Sequence, residues 1–225
     1  MSNFILGGLF TEGTTDVRFL SSVIERTLVE VSFDCSGQIE TKLEIIEINK
    51  SGLNFNEQVK EACKIGFEKF GILLLFVHAD ADSIDDSQTF QSRINPAIAY
   101  VNQQDEELFC KHLVAVVPIQ TTESWMLADK ALLKSEIGVV GSDVDFGIHR
   151  NPEEIADPKA LIENIIRISK EDNAKTKRRK GLMISDLYQI IGQQIDILDL
   201  EKLSSYIKFK KNLIDKLREL NFYHQ

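Results

Sequence analysis

Hydrophobic positions along the chain follow two rhythms. Residues 4–10, FILGGLF, are a short apolar run that reads as a buried strand. Val17, Leu20, Ile24 and Leu28 then recur at helical spacing, with Thr14 or Thr15 able to cap the segment and Asp16 suited to its first turn. Residues 42–48, KLEIIEI, alternate like a strand. From Asn56 onward Val59, Cys63 and Phe67 share one helical face until Gly71 breaks it. The run ILLLFV at 72–77 is apolar on both faces, as a strand in the middle of a covered parallel sheet must be. Residues 87–107 read as helical, with Pro96 starting or kinking a turn. HLVAVVPI at 112–119 is another fully buried strand, and TESWMLADKALL at 122–133 reads as a helix. Strand and helix alternate four times, which predicts an α/β fold: an open, mainly parallel sheet with helices on both faces.

After about residue 135 the pattern changes. GVVGSDVDFG is glycine-rich and irregular. NPEEIADPKALIENIIRI holds a helix with Asp157 as cap and Pro158 at its first position. The basic run KTKRRK spans 175–180, and two further helical stretches follow. The expected organisation is a sheet domain over residues 1–135 and a mostly helical C-terminal extension, 136–225, packed on it.

Composition narrows the classes. Of 225 residues, 43% are hydrophobic and 27% charged, which suits a globular chain able to bury a core. The formal net charge of −9, from 35 acids against 26 bases, argues against passive nucleic-acid binding through Lys and Arg alone. It leaves open an enzyme that meets phosphate through metal ions. Cys35, Cys63 and Cys110 form no CxxC pair and are odd in number, so neither zinc ligation nor a disulfide framework is expected. The N-terminus shows no signal-peptide pattern and the longest apolar run is too short to cross a bilayer, so a cytoplasmic location without membrane attachment is expected.

In an open α/β sheet the ligand crevice lies at the carboxyl ends of the strands. Glu12 follows the first strand, Asp80 and Asp82 follow ILLLFVH, and Glu123 follows VAVVPI. Three strand ends therefore deliver carboxylates to one edge. In an extended segment Asp80 and Asp82 would point the same way, roughly 6.5 Å apart. Clustered carboxylates repel unless a cation neutralises them, and oxygen ligands select hard ions, Mg²⁺ or Mn²⁺. Such ions commonly share their coordination with substrate phosphate, which points to phosphoryl transfer or phosphodiester hydrolysis. Taken singly these residues have plainer readings. Asp85 and Asp86 suit a helix cap, Glu123 suits a first helical turn, and His78 and Trp125 suit the core. Lys175, Lys177, Arg178, Arg179 and Lys180 either grip a nucleic-acid backbone or form a solvated loop. The four tyrosines, Tyr100, Tyr188, Tyr206 and Tyr223, all lie away from the acidic motifs in sequence.

Glu12-Gly13-Thr14-Thr15-Asp16 together with Asp80-Ala81-Asp82 resembles the Toprim domain, over roughly residues 3–130. PIQTTESWMLAD at 118–129 is similar to a group of small Toprim-like proteins related to OLD-family nucleases and suspected of serving bacterial anti-phage defence. The resemblance implies a Toprim-type sheet. It implies Mg²⁺ or Mn²⁺ held by Asp80 and Asp82, Glu12 as general acid/base or further metal ligand, and Glu123 as an additional carboxylate at the metals. The activity implied is Mg²⁺-dependent cleavage of DNA or RNA. The alternative it carries is a regulatory subunit silent without an ATPase partner, and homo-oligomerisation is compatible with either. FVHADADS also resembles, superficially, haloacid-dehalogenase-type phosphatases, although in those the motif follows the first strand.

Overall fold

The computed structural model describes residues 3–172 and 181–223. Four strands, β1 (Asn3–Phe10), β2 (Ile39–Ile45), β3 (Leu74–His78) and β4 (Leu113–Val116), form one sheet in the order β2-β1-β3-β4. Every pairing is parallel. The fold is therefore the open α/β sheet that the alternation of apolar runs predicts. All five residues of β3 and all four of β4 are buried.

Alternate residues of the central strands feed two separate cores. Leu74, Phe76, Val114 and Val116 face one side, with Ile5 and Leu9 from β1. Leu75, Val77, Leu113 and Ala115 face the other, with Phe10. The second core is closed by α2 (Phe55–Ile65) and α4 (Asn95–Asn102), through Val59, Ala62, Cys63, Ala97 and Val101. The first is closed by α1 (Asp16–Ser32) and by elements from the second half of the chain.

Local chemistry sets the helix boundaries. α2 begins one residue earlier than the apolar spacing predicts. The Asn54 side chain accepts from Glu57 N while the Glu57 carboxylate accepts from Asn54 N, a reciprocal cap. The segment expected to be helical over 87–107 is a short turn, α3 (Ser87–Thr89), a π-helical stretch, Phe90–Ile94, and then α4. TESWMLADKALL is two helices, α5 (Thr122–Met126) and α6 (Lys130–Ile137). Asp129 leaves the helical region at φ −93°, ψ 86° and caps α6 by accepting from Leu132 N at 2.9 Å.

The second half contributes α7 (Pro158–Asp172), α8 (Leu187–Gln194), α9 (Ile197–Leu200) and α10 (Ser204–Glu219). Asp157 Oδ1 accepts from Ala160 N at 2.8 Å, as expected of a cap preceding Pro158. α10 packs on β4 and α8 lies along α1. The α1–α8 approach is close at Gly192, where an added Cβ would sit 2.6 Å from Phe19 O. Trp125 is fully buried, edge-on to Tyr206 at 5.3 Å, and its Nε1 donates to Ser205 Oγ at 2.8 Å. Ser205 Oγ donates in turn to Glu153 Oε1 at 2.6 Å. The buried Glu153 carboxylate also accepts from Ser204 N, Ser204 Oγ and Ser205 N, capping α10. Among the described residues no helix is long and apolar enough to cross a membrane.

Candidate metal centre

The loops after β3 and β4 remain paired beyond the strands themselves. Ala79 N donates to Val116 O at 3.2 Å, Ala81 N to Pro118 O at 3.0 Å and Asp82 N to Gln120 O at 2.8 Å. Gln120 N returns the bond to Ser83 O at 2.9 Å. Making these bonds puts Asp82 at φ 51° and Gln120 at φ 61°, both left-handed. Such conformations cost on the order of 1–3 kcal/mol each and gather at functional sites. Asp82 is thus not in the extended conformation that the Asp80/Asp82 spacing suggests; the cross-loop bonds to Gln120 and Ser83 require the turn.

Asp80 is fixed from several directions. Its Oδ1 accepts from Thr122 N at 2.8 Å and from Thr122 Oγ1 at 3.3 Å, and lies 3.3 Å from His78 Nε2. Thr122 Oγ1 is also 3.1 Å from His78 Nε2. His78 is core in its burial and site in its contacts. It has no exposed surface, and its Nδ1 has no hydrogen-bond partner among the described residues. Asp16, in the first turn of α1, completes the group: one ligand atom each from Asp16, His78 and Asp80 lie within 4.8 Å of one another. That spacing suits a single ion bonded at about 2.0–2.6 Å to each.

The other predicted acids surround this group. The Glu12 carboxylate is paired with the Arg93 guanidinium. The backbone of its loop is pinned by Lys50, whose Nζ donates to Thr11 O and Glu12 O at 2.7 Å each. Glu123 is buried, and its Oε1 accepts from Tyr188 OH. Tyr188 is thus a site residue, although it lies 65 positions from Glu123 in sequence; α8 carries it in. Burial, the bond to Glu123 and the neighbouring negative charges push the Tyr188 phenol well above its usual range, so it keeps its proton.

The electrostatics show that these acids share one field. Burial raises the proton affinity of Asp16, helped by Asp80 and Glu123 and opposed by His78 and a bond from Thr122. Burial likewise raises Asp82, with Asp80 and Glu12 adding to it and Arg93 opposing. Burial works against a charged His78, but the bond to Asp80 and the charges of Asp80, Asp16 and Glu12 outweigh it, so its proton affinity is raised. A cluster of partly buried carboxylates around a buried histidine, two of them with raised proton affinity, is the environment that a cation relieves.

Asp80 therefore lies in the tight ligand group and Asp82, Glu12 and Glu123 at its margin. Asp16, His78, Thr122, Arg93, Lys50 and Tyr188 join the site from positions that periodicity assigns to caps, core or surface. His78 carried one usable signal: it is two residues before Asp80, on the same strand end. Lys175, Lys177, Arg178, Arg179 and Lys180 lie outside the described residues. No family model, curated protein or solved structure matches the chain.

Proposed function

We propose that this chain is a Toprim-type nuclease that hydrolyses phosphodiester bonds of DNA or RNA with the aid of a divalent cation. The observation that carries the reading is the meeting of carboxylates from three strand ends and α1 around a buried histidine, at the carboxyl edge of a parallel sheet. Asp16, His78 and Asp80 would hold the ion. Two carboxylates with one imidazole suit Mn²⁺ at least as well as Mg²⁺. A cation bound there supplies charge against the phosphoryl oxygens and makes water a better nucleophile.

The chain's own residues do the rest. Thr122 and the loop pairing hold Asp80 in one orientation. Tyr188 holds Glu123. Glu12 is half exposed on a pinned loop and is suited to take the proton of a water whose oxygen bonds to phosphorus. The bond from phosphorus to the leaving oxygen breaks, and that oxygen takes a proton from solvent while Glu12 returns its own to solvent. The resemblance to Toprim-like defence proteins extends the proposal to an effector role against phage, with nucleic acid as its substrate.

The test is cleavage of plasmid, oligonucleotide and total RNA with Mn²⁺ or Mg²⁺, comparing wild type with Glu12→Ala and Asp80→Ala. Loss of about 10²-fold or more in either variant is expected. Equal cleavage by all three proteins would remove the site assignment.

A further inference from the structure

The pairing of Glu12 with Arg93 leaves a reacting carboxylate engaged with a cation outside the ligand group. Arg93 comes from the π-helical turn Phe90–Ile94, a distortion that recurs at functional sites. Its guanidinium lies 4.4 Å over the Phe55 ring, which fixes its plane, and one of its nitrogens faces Glu12 Oε1. The Arg93 side chain is a quarter exposed, so solvent reaches part of it. It also lies close enough to Asp82 to oppose that residue's raised proton affinity. Beneath it Lys50 bonds the carbonyls of Thr11 and Glu12 and so tethers the Glu12 backbone. With the backbone tethered, exchange of Arg93 onto another anion would leave the Glu12 side chain to reorient.

An anionic substrate approaching Glu12, Asp16, Asp80, Asp82 and Glu123 meets like charge. A stacked guanidinium fork offers it two parallel donors with the geometry of a phosphate. We propose that Arg93 is a substrate-phosphate ligand that in the free protein is parked on Glu12. A phosphodiester takes over the guanidinium and releases the Glu12 carboxylate toward the metal centre, so that nucleic acid and cation each strengthen binding of the other. This rests on the metal-centre reading above.

The experiment compares wild type, Arg93→Gln, Arg93→Lys and Asp80→Asn, each checked for folding by circular dichroism. Mn²⁺ binding is read from the electron paramagnetic resonance of the free ion. Nucleic-acid binding is read from the anisotropy of labelled, phosphorothioate-protected DNA and RNA oligonucleotides in Ca²⁺. Arg93→Gln is expected to bind Mn²⁺ about threefold tighter, because Glu12 is freed and a cation is lost, yet to bind oligonucleotide about tenfold more weakly. Arg93→Lys keeps a charge beside Glu12 but lacks the fork; it should bind Mn²⁺ like wild type and oligonucleotide more weakly. Oligonucleotide should tighten Mn²⁺ binding to wild type and not to Arg93→Gln. If Arg93→Gln and Arg93→Lys leave oligonucleotide affinity unchanged while Asp80→Asn abolishes Mn²⁺ binding, Arg93 is only a clamp on Glu12 and this proposal falls alone. If Asp80→Asn binds Mn²⁺ as wild type does, the metal centre falls and takes this proposal with it.

Discussion

Replacing Gly192 with alanine separates two arguments that give opposite signs. Gly192 lies within α8, and helix propensity alone promises about 0.8–1.0 kcal/mol of stabilisation for a Gly→Ala change in a helix interior. The packing argues otherwise. The new Cβ would stand 2.6 Å from Phe19 O, 3.0 Å from Phe19 Cα and 3.1 Å from Phe19 C. These are backbone atoms of the first turn of α1 and cannot rotate away as a side chain would, so the two helices must part by most of an ångström. Overpacking of this kind costs about 1–3 kcal/mol and occasionally more, so the propensity gain is cancelled and the net effect is destabilisation by up to about 2 kcal/mol. In a chain of this length that is a fall in Tm of up to about 8 °C. Scanning calorimetry on Gly192→Ala measures it directly. Because Tyr188 lies one turn earlier on α8, the same shift draws its hydroxyl from Glu123, and Mn²⁺ affinity should drop with Tm. A Tm above wild type would refute the close α1–α8 approach and with it the placement of Tyr188.

Three further outcomes follow from named contacts. Tyr188→Phe removes the donor to Glu123 without changing the packed volume and should weaken Mn²⁺ binding about tenfold, the usual scale for a partner of a metal-site carboxylate, in a calorimetric titration. Glu153→Gln leaves the donors of Ser204 and Ser205 facing an amide, should cost about 2–3 kcal/mol in urea unfolding, and should shift the fluorescence of Trp125, the chain's one tryptophan, through Ser205. Burial holds the Cys110 thiol up at about 11 and raises Cys63 further, so under native conditions iodoacetamide followed by mass mapping should label the half-buried Cys35 well ahead of either.

What was legible in the sequence was whatever depends on neighbours in the chain. ILLLFV is apolar on both faces because helices cover both, and one strand suffices to see it. Asp157-Pro158 marks a helix start because capping is local. Alternation alone places β2 at 42–48, yet it spans Ile39–Ile45, because an edge strand extends only where its partner pairs. Asn3 pairs with Ile39 and Leu9 with Ile45, so β1 fixes both ends. The candidate site divides in the same way. Glu12, Asp80, Asp82 and Glu123 announce themselves by following strands. Asp16 looked like a helix-dipole charge, His78 like core and Tyr188 like a remote tyrosine, since only tertiary packing brings α1, β3 and α8 together.

The face of the sheet that carries Leu74, Phe76, Val114 and Val116 is covered jointly by α1 and by helices encoded after residue 150. A fragment ending near residue 135 would keep the strands and most of the acids but strip Tyr206, Phe209, Leu213 and Ile191 from that face. It would present water with a sticky apolar slab and precipitate rather than stay folded and dispersed. The sheet half is consequently not a cassette: any graft, truncation or chimera has to carry the helical half along.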